Sequence, residues 1–194
     1  MRIGPIGAAI VWLASSAAAH GEIKGTCEHA VEANVQPGSQ VRMLFQSGEI
    51  AIVGGDRPLL RVTCESSYAE AAENVAIAYD AGELRLSGDP KDRVRFKIEV
   101  PRNTNLFIRS RHGDLTISGV TGDKDIELRS GDVTIDTGNP ADYKHADASV
   151  WAGSLDATPF GVDRDGLLKR FKKDNAAGKY SLHIRLWTGD LTLR

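Results

Sequence analysis

Asp114, Asp132 and Asp190 each stand directly after a glycine, in the phrases "HGDLTIS", "SGDVTID" and "TGDLTLR". If the chain stacks these phrases, the carboxylates line up in a column, and such a column is a candidate calcium site. A hard cation asks for about six to eight oxygen ligands. The short glycine- and aspartate-rich repeat of calcium-binding β-rolls is missing, and Ser154, in "AGSLDATP", breaks the series. The structural reading is that these aspartates accept backbone hydrogen bonds at turns. "RSRHGD" sets Ser110, His112 and Asp114 near one another in sequence, with no G-x-S-x-G elbow anywhere, so no nucleophilic triad is read from it. His29, His112, His145 and His183 are scattered without ligand spacing, although stacking would bring His112 and His183 closer. No catalytic, cofactor or metal site is assigned.

Three other features could act on a partner or on the fold. Trp151 and Trp187 each precede a glycine corner, in "WAGS" and "WTGD". Their faces would suit sugar rings; alternatively they cap the hydrophobic column at a coil edge. The basic run from Lys169 to Lys173 could meet anionic lipid or polysaccharide, or be the solvated side of a covering segment. Cys27 and Cys64 are the two cysteines of the chain, and in an oxidising compartment such a pair is expected to form a bridge.

These residues must be positioned by a repeat. Glycine corners followed by an alternating tail recur at Gly48, Gly82, Gly113, Gly131, Gly153 and Gly189. Gly113 and Gly131 lie 18 residues apart, and Gly153 and Gly189 lie 36 apart, twice that period. Leu115 and Ile117 fall on one face of a strand with Thr116 on the other; Val133/Thr134/Ile135 and Leu191/Thr192/Leu193 repeat the pattern. The strand before each corner alternates too, as with Ile126 and Leu128 or Leu106 and Ile108. Short strands that cannot bury their apolar side alone point to stacked coils, an all-β solenoid or β-helix, with a β-sandwich as the alternative. Helical pattern is scarce. "SYAEAAENVAIAYD" from Ser67 begins with helix formers and then alternates. From Asp163 to Asn175, Leu167, Leu168 and Phe171 share one helical face, which predicts a short amphipathic helix or a loop covering an end of the stack.

The first residues have another purpose. Residues 1–19 carry one positive charge (Arg2), an apolar run from Ile6 to Ala14 and small residues Ala17, Ala18 and Ala19, the layout of a secretory signal peptide. The run is short of the ~20 apolar residues a spanning helix needs. The mature domain is then 20–194, of a length that fits one core. Outside Arg2, the lysines and arginines are outnumbered by 26 acidic residues, a balance that argues against a nucleic-acid partner.

"VRFKIEVP" followed by "LFIRSRHGDLTISGVTGDKDIELRSGDVTID" resembles the bacterial exported β-strand-repeat family named "putative adhesins", related to head domains of auto-transporter adhesins. The likeness rests on Val100-Pro101 closing a strand and on the units at Gly113-Asp114, Gly131-Asp132 and Gly189-Asp190, with "SGEIAIVGGD" as an opening unit. The resemblance implies a right-handed β-helix-like fold, a periplasmic, extracellular or cell-surface setting, and no catalytic residue. His112 and Ser154 depart from the pattern, and so does the long basic stretch before Tyr180. The expectation is an exported, non-catalytic adhesin-like or structural envelope protein without cofactor, whose partner is a polysaccharide or surface protein. Trp151 and Trp187 are the candidate glycan contacts. Exposed coil ends make homo-association a further expectation. The competing class is a carbohydrate-active enzyme on a β-helix scaffold.

Overall fold

The structure is a computed structural model that describes residues 22–66, 75–87 and 94–194. The expected signal peptide, and most of the stretch beginning at Ser67, lie outside the described residues. The chain opens with β1 (Ile23–Gly25), β2 (Val31–Asn34), β3 (Gln40–Phe45), β4 (Glu49–Gly55) and β5 (Leu59–Ser66). It continues through β6 (Ala76–Asp80), β7 (Glu83–Ser87), β8 (Val94–Pro101), β9 (Asn105–His112) and β10 (Leu115–Ser118). Then follow β11 (Lys124–Ser130), β12 (Val133–Ile135), β13 (Tyr143–Ala157), β14 (Val162–Asp174), β15 (Tyr180–Thr188) and β16 (Leu191–Leu193). Two single-turn 3₁₀ helices, Pro140–Asp142 and Thr158–Phe160, flank β13.

All sixteen strands join one sheet. Its centre is two parallel ladders sharing corners. In the first, β7, β3, β9, β11, β15 and the front half of β13 lie side by side. In the second, β8, β4, β10, β12, β16 and the back half of β13 do the same. A strand of the first ladder leads through a glycine to a strand of the second at β3–β4 (Gly48), β9–β10 (Gly113), β11–β12 (Gly131) and β15–β16 (Gly189). β13 runs through its own corner unbroken. Antiparallel strands flank the ladders: β6 and β1 beyond β7, β5 and β2 beyond β8, and β14 on β13. β1 and β2, the two ends of the path, come close together, so the sheet nearly closes like a barrel.

The all-β expectation holds, and the stacked coils supply the parallel centre. The β-helix expectation is met only in part, because antiparallel strands take over at the margins and wrap the sheet toward closure. The side-chain pattern explains the registers. Met43, Ile108, Ile126, Ile184 and Ala148 align strand to strand on the first ladder. Ile50, Leu115, Val133, Leu191 and Leu155 align on the second. All ten are buried and belong to one hydrophobic core. A slip of one residue would turn either row to solvent, so burial fixes the stacking. The Cys27–Cys64 disulfide is formed. It ties the segment between β1 and β2 to β5, close to where the sheet nearly meets itself.

The segment from Asp163 to Asn175 is the clearest correction. It is neither a helix nor a loop but the strand β14, antiparallel to β13. It does cover the end of the stack, with Phe171 buried against Phe160 at 5.4 Å between ring centres. Leu167 and Leu168, expected to pack with Phe171, are exposed, and Lys169, expected outside, is buried. Strand alternation puts Lys169 and Phe171 on the same side, where helical counting grouped Phe171 with the leucines.

Candidate functional site

The glycine corners form a column whose order in space is Gly48, Gly113, Gly131, Gly189 and Gly153. A Cβ on Gly131 would collide with the Gly113 carbonyl, and its φ of 131° already favours glycine. Gly82 stands apart from this column: it is the second residue of the two-residue hairpin Ala81-Gly82 between β6 and β7, where both φ values are positive, as a tight hairpin turn requires.

The aspartates run alongside. Asp132 N–H donates to Asp114 Oδ1 at 2.9 Å, Asp190 N–H to Asp132 Oδ1 at 2.8 Å, and Ser154 N–H to Asp190 Oδ1 at 2.7 Å. Each carboxylate staples its coil to the next through a charge-assisted bond. The bond from Ser154 holds the Asp190 carboxyl below its ordinary range. Ser154 ends the column rather than interrupting it, because β15 and β16 insert between the coil of Asp132 and β13. Among the described residues no group of three or more His, Cys, Asp and Glu is placed to hold a metal ion.

The histidines pair locally. His183 Nδ1 meets Asp147 Oδ2 across β15 and β13, and His145 Nδ1 lies 2.7 Å from Asp174 Oδ1 across β13 and β14. The His145 contact lowers the Asp174 carboxyl. His112 pairs in register with Ser130 and His183 with Asp125. They are thus offset by five residues, roughly 16 Å, along the strands with β11 between them, and stacking does not bring them together. Ser110 Oγ donates to the His112 carbonyl at 3.3 Å while Asp114 serves the column, so these three make no relay.

Trp151 and Trp187 do not cap the core. They are 53% and 56% exposed and stack on each other, ring centres 6.3 Å apart and planes 20° from parallel. The alternation of their strands sets this direction: Ala146, Ala148 and Val150 face in and so do Leu182, Ile184 and Leu186, which turns the next residue outward. The registers place Arg111, Arg129, Trp187, Trp151 and Leu168 in one outward row, on β9 or its end, β11, β15, β13 and β14. Leu44, Arg109, Glu127, Arg185, Ser149 and Arg170 form the row beside it. The large hydrophobic side chains left exposed among the described residues are Trp151, Leu167, Leu168 and Trp187, all at this corner. Leu168 also holds a φ of 55°.

Two shallow grooves meet at Trp187. One, of 540 Å³, is lined by residues of β3, β9, β11 and β15, including Arg109, Arg111, Glu127 and Arg129. The other, of 340 Å³, is lined by Trp151, Leu168, Arg170 and Arg185 among others. Arg109 forms a rigid part of the first groove: it bridges Asp125 and Glu127 at 2.9 and 3.4 Å and lies 3.8 Å over the Phe107 ring.

One buried group escapes sequence reasoning. Lys124 shares the inward side of β11 with Ile126 and Leu128. Its ammonium donates to the Gly122 carbonyl at 3.2 Å and the Tyr143 hydroxyl at 3.0 Å, and that hydroxyl donates to the Thr137 carbonyl. Burial brings Lys124 down to about 8, against the pull of Asp123 and Asp136, and pushes the Tyr143 phenol up. Parity in "KDIEL" was the available signal.

No protein-family model matches the sequence, and no curated protein matches it significantly. Among solved structures the chain is similar to "a putative cell adhesion protein" from Clostridium sporogenes, at 14% identity and a TM-score of 0.47, over 85% of this chain and 98% of that one. It is also similar to "a putative adhesin" from Bacteroides fragilis, at 9% identity and a TM-score of 0.27, over 90% of this chain and 98% of that one. Similarity at this level carries no functional assignment.

Proposed function

We propose that this chain is an exported, non-catalytic, adhesin-like module of the cell envelope that contacts surface glycans through the Trp151–Trp187 shelf. The observation that carries the reading is the stacked, half-exposed indole pair on a rigid parallel ladder. Two large apolar rings left half in water add little to the core, whereas an aromatic platform suits the apolar face of a sugar. Export is supported by the layout of residues 1–19 and by the disulfide, which fits an oxidising compartment. The right-handed sense of the coils is taken from the resemblance of the corner phrases to the exported β-strand-repeat family.

The enzyme alternative draws less support. Glycoside hydrolysis generally uses a pair of carboxylates flanking the bond. Glu127 is the carboxylate lining these two grooves, and it is engaged by Arg109. The test is a glycan and cell-envelope binding array run beside a hydrolase and lyase screen on the same polysaccharides. Binding that disappears in Trp151→Ala and Trp187→Ala, without turnover, is expected. Reproducible turnover abolished by one carboxylate substitution would replace the binding module with an enzyme.

A further inference from the structure

Charge around the shelf narrows the ligand class. Elsewhere on the sheet several outward arginines are matched across strands, Arg95 with Glu49, Arg61 with Glu32 and Arg42 with Glu83, and Arg57 in the turn before β5 meets Glu99. Beside the tryptophans the matching stops. Among the described residues Arg111, Arg129, Arg170 and Arg185 are exposed and have no carboxylate within salt-bridge distance. The carboxylates beside them, Asp125 and Glu127, are already engaged by Arg109. What remains is a strip of free guanidinium groups alongside an aromatic shelf.

The layout suits a linear polymer. Arg111, Arg129, Trp187, Trp151 and Leu168 succeed one another one strand at a time, each step about 4.8 Å. Such a row runs across the strands as an extended chain would. Arg111 and Arg129 line the same groove as Trp187. A bilayer is flat and reaches rims, whereas a polysaccharide can lie along a groove floor. Guanidinium groups bind carboxylate and sulfate in forked, charge-assisted pairs.

We infer that the shelf takes an acidic polysaccharide, its sugars against Trp187 and Trp151 and its carboxylate or sulfate groups on Arg111, Arg129 and Arg185. This rests on the glycan reading above and specifies its chemistry. The anion supplies the partner that these arginines lack within the fold, and the indoles supply sequence-tolerant stacking.

The test uses the full exported chain with polygalacturonate, alginate and chondroitin sulfate, each beside a charge-neutral counterpart (methyl-esterified for the uronates, desulfated and esterified for the third). Vesicles of phosphatidylglycerol with phosphatidylcholine form a further arm. At least one acidic polymer should bind, with its neutral form weaker by about tenfold or more, and binding should fall as salt screens the contact. Arg111→Gln/Arg129→Gln should lose the preference for the acidic form while keeping weak binding to both. Trp187→Ala should weaken both forms. Arg95→Gln, on β8 in the other ladder, is the control and should change neither. Equal binding of acidic and neutral forms would overturn the acidic-ligand inference and leave the glycan reading standing. Binding to no polysaccharide, or to the vesicles alone with loss in Trp187→Ala, would overturn both. Unchanged melting temperatures across the variants certify that any loss is local.

Discussion

Single residues in this fold are constrained by what lies directly above and below them. Gly131 combines a positive φ with a carbonyl where a side chain would go. Gly131→Ala should therefore cost about 3 kcal/mol or more in urea unfolding. Gly138 has a φ of 64° and open space around a would-be Cβ, so Gly138→Ala should cost only about 1 kcal/mol. Lys124 makes a second residue-scale prediction. Its folded value of about 8 lies below the ordinary 10.5 of a lysine, so between these values the unfolded chain binds the proton that the folded chain has released. Stability contributed by this group therefore rises with pH across that window, by about 2 kcal/mol between pH 8 and 10, until Tyr143 ionising in the unfolded chain opposes it. Urea titrations at pH 7, 8, 9 and 10 should show the rise in the parent chain and its loss in Lys124→Met. A flat parent profile would mean that Lys124 stays charged in the fold.

Elements here were legible in the sequence to the extent that alternation dominates them. "LTIS", "VTID" and "LTLR" announce their strands, and the glycine before each announces the corner. The order of stacking was not legible: the coil of β15 and β16 inserts between β12 and β13, a pairing decided by long-range burial that no local phrase encodes. β14 misled for a definable reason. Leu167, Leu168 and Phe171 fit one helical face as well as Lys169 and Phe171 fit one strand face, and the chain's long hairpin with β13 decides between them. The shelf was half legible. Its tryptophans were visible as candidates, and the inward parity of Leu182, Ile184 and Leu186 already turned Trp187 out, yet the neighbouring arginines come from strands that only the registers bring together. The energetic consequence is testable. Phe171→Ala, removing a buried ring from the last coil, should destabilise by about 3 kcal/mol. Leu167→Ser and Leu168→Ser should each stay within about 0.5 kcal/mol. A large loss in Leu168→Ser would show that this residue belongs to the core cover after all.

At the scale of the whole molecule, a long parallel stack is finished by antiparallel strands and one covalent tie. The bridge encloses a sequence separation of 37 residues, which on the chain-entropy argument stabilises by about 4 kcal/mol. Cys27→Ser/Cys64→Ser should lower the unfolding free energy by that order while leaving the distant shelf able to bind. No helix among the described residues is long and apolar enough to cross a membrane. The outward rows present a broad face built on a rigid lattice, and the claim that unites sequence, fold and function is that a ligand lies on the tryptophan part of it. The chain has three tryptophans, the third being Trp12. Trp12 lies in the expected signal peptide, so in protein purified as residues 20–194 all indole emission comes from Trp151 and Trp187, and fluorescence during polysaccharide titration reports on the shelf alone. A saturable change in that emission, with protection from acrylamide quenching and the same midpoint as binding followed by sedimentation, is the predicted result. Sedimentation showing tight binding while the emission and its quenching stay unchanged would contradict it.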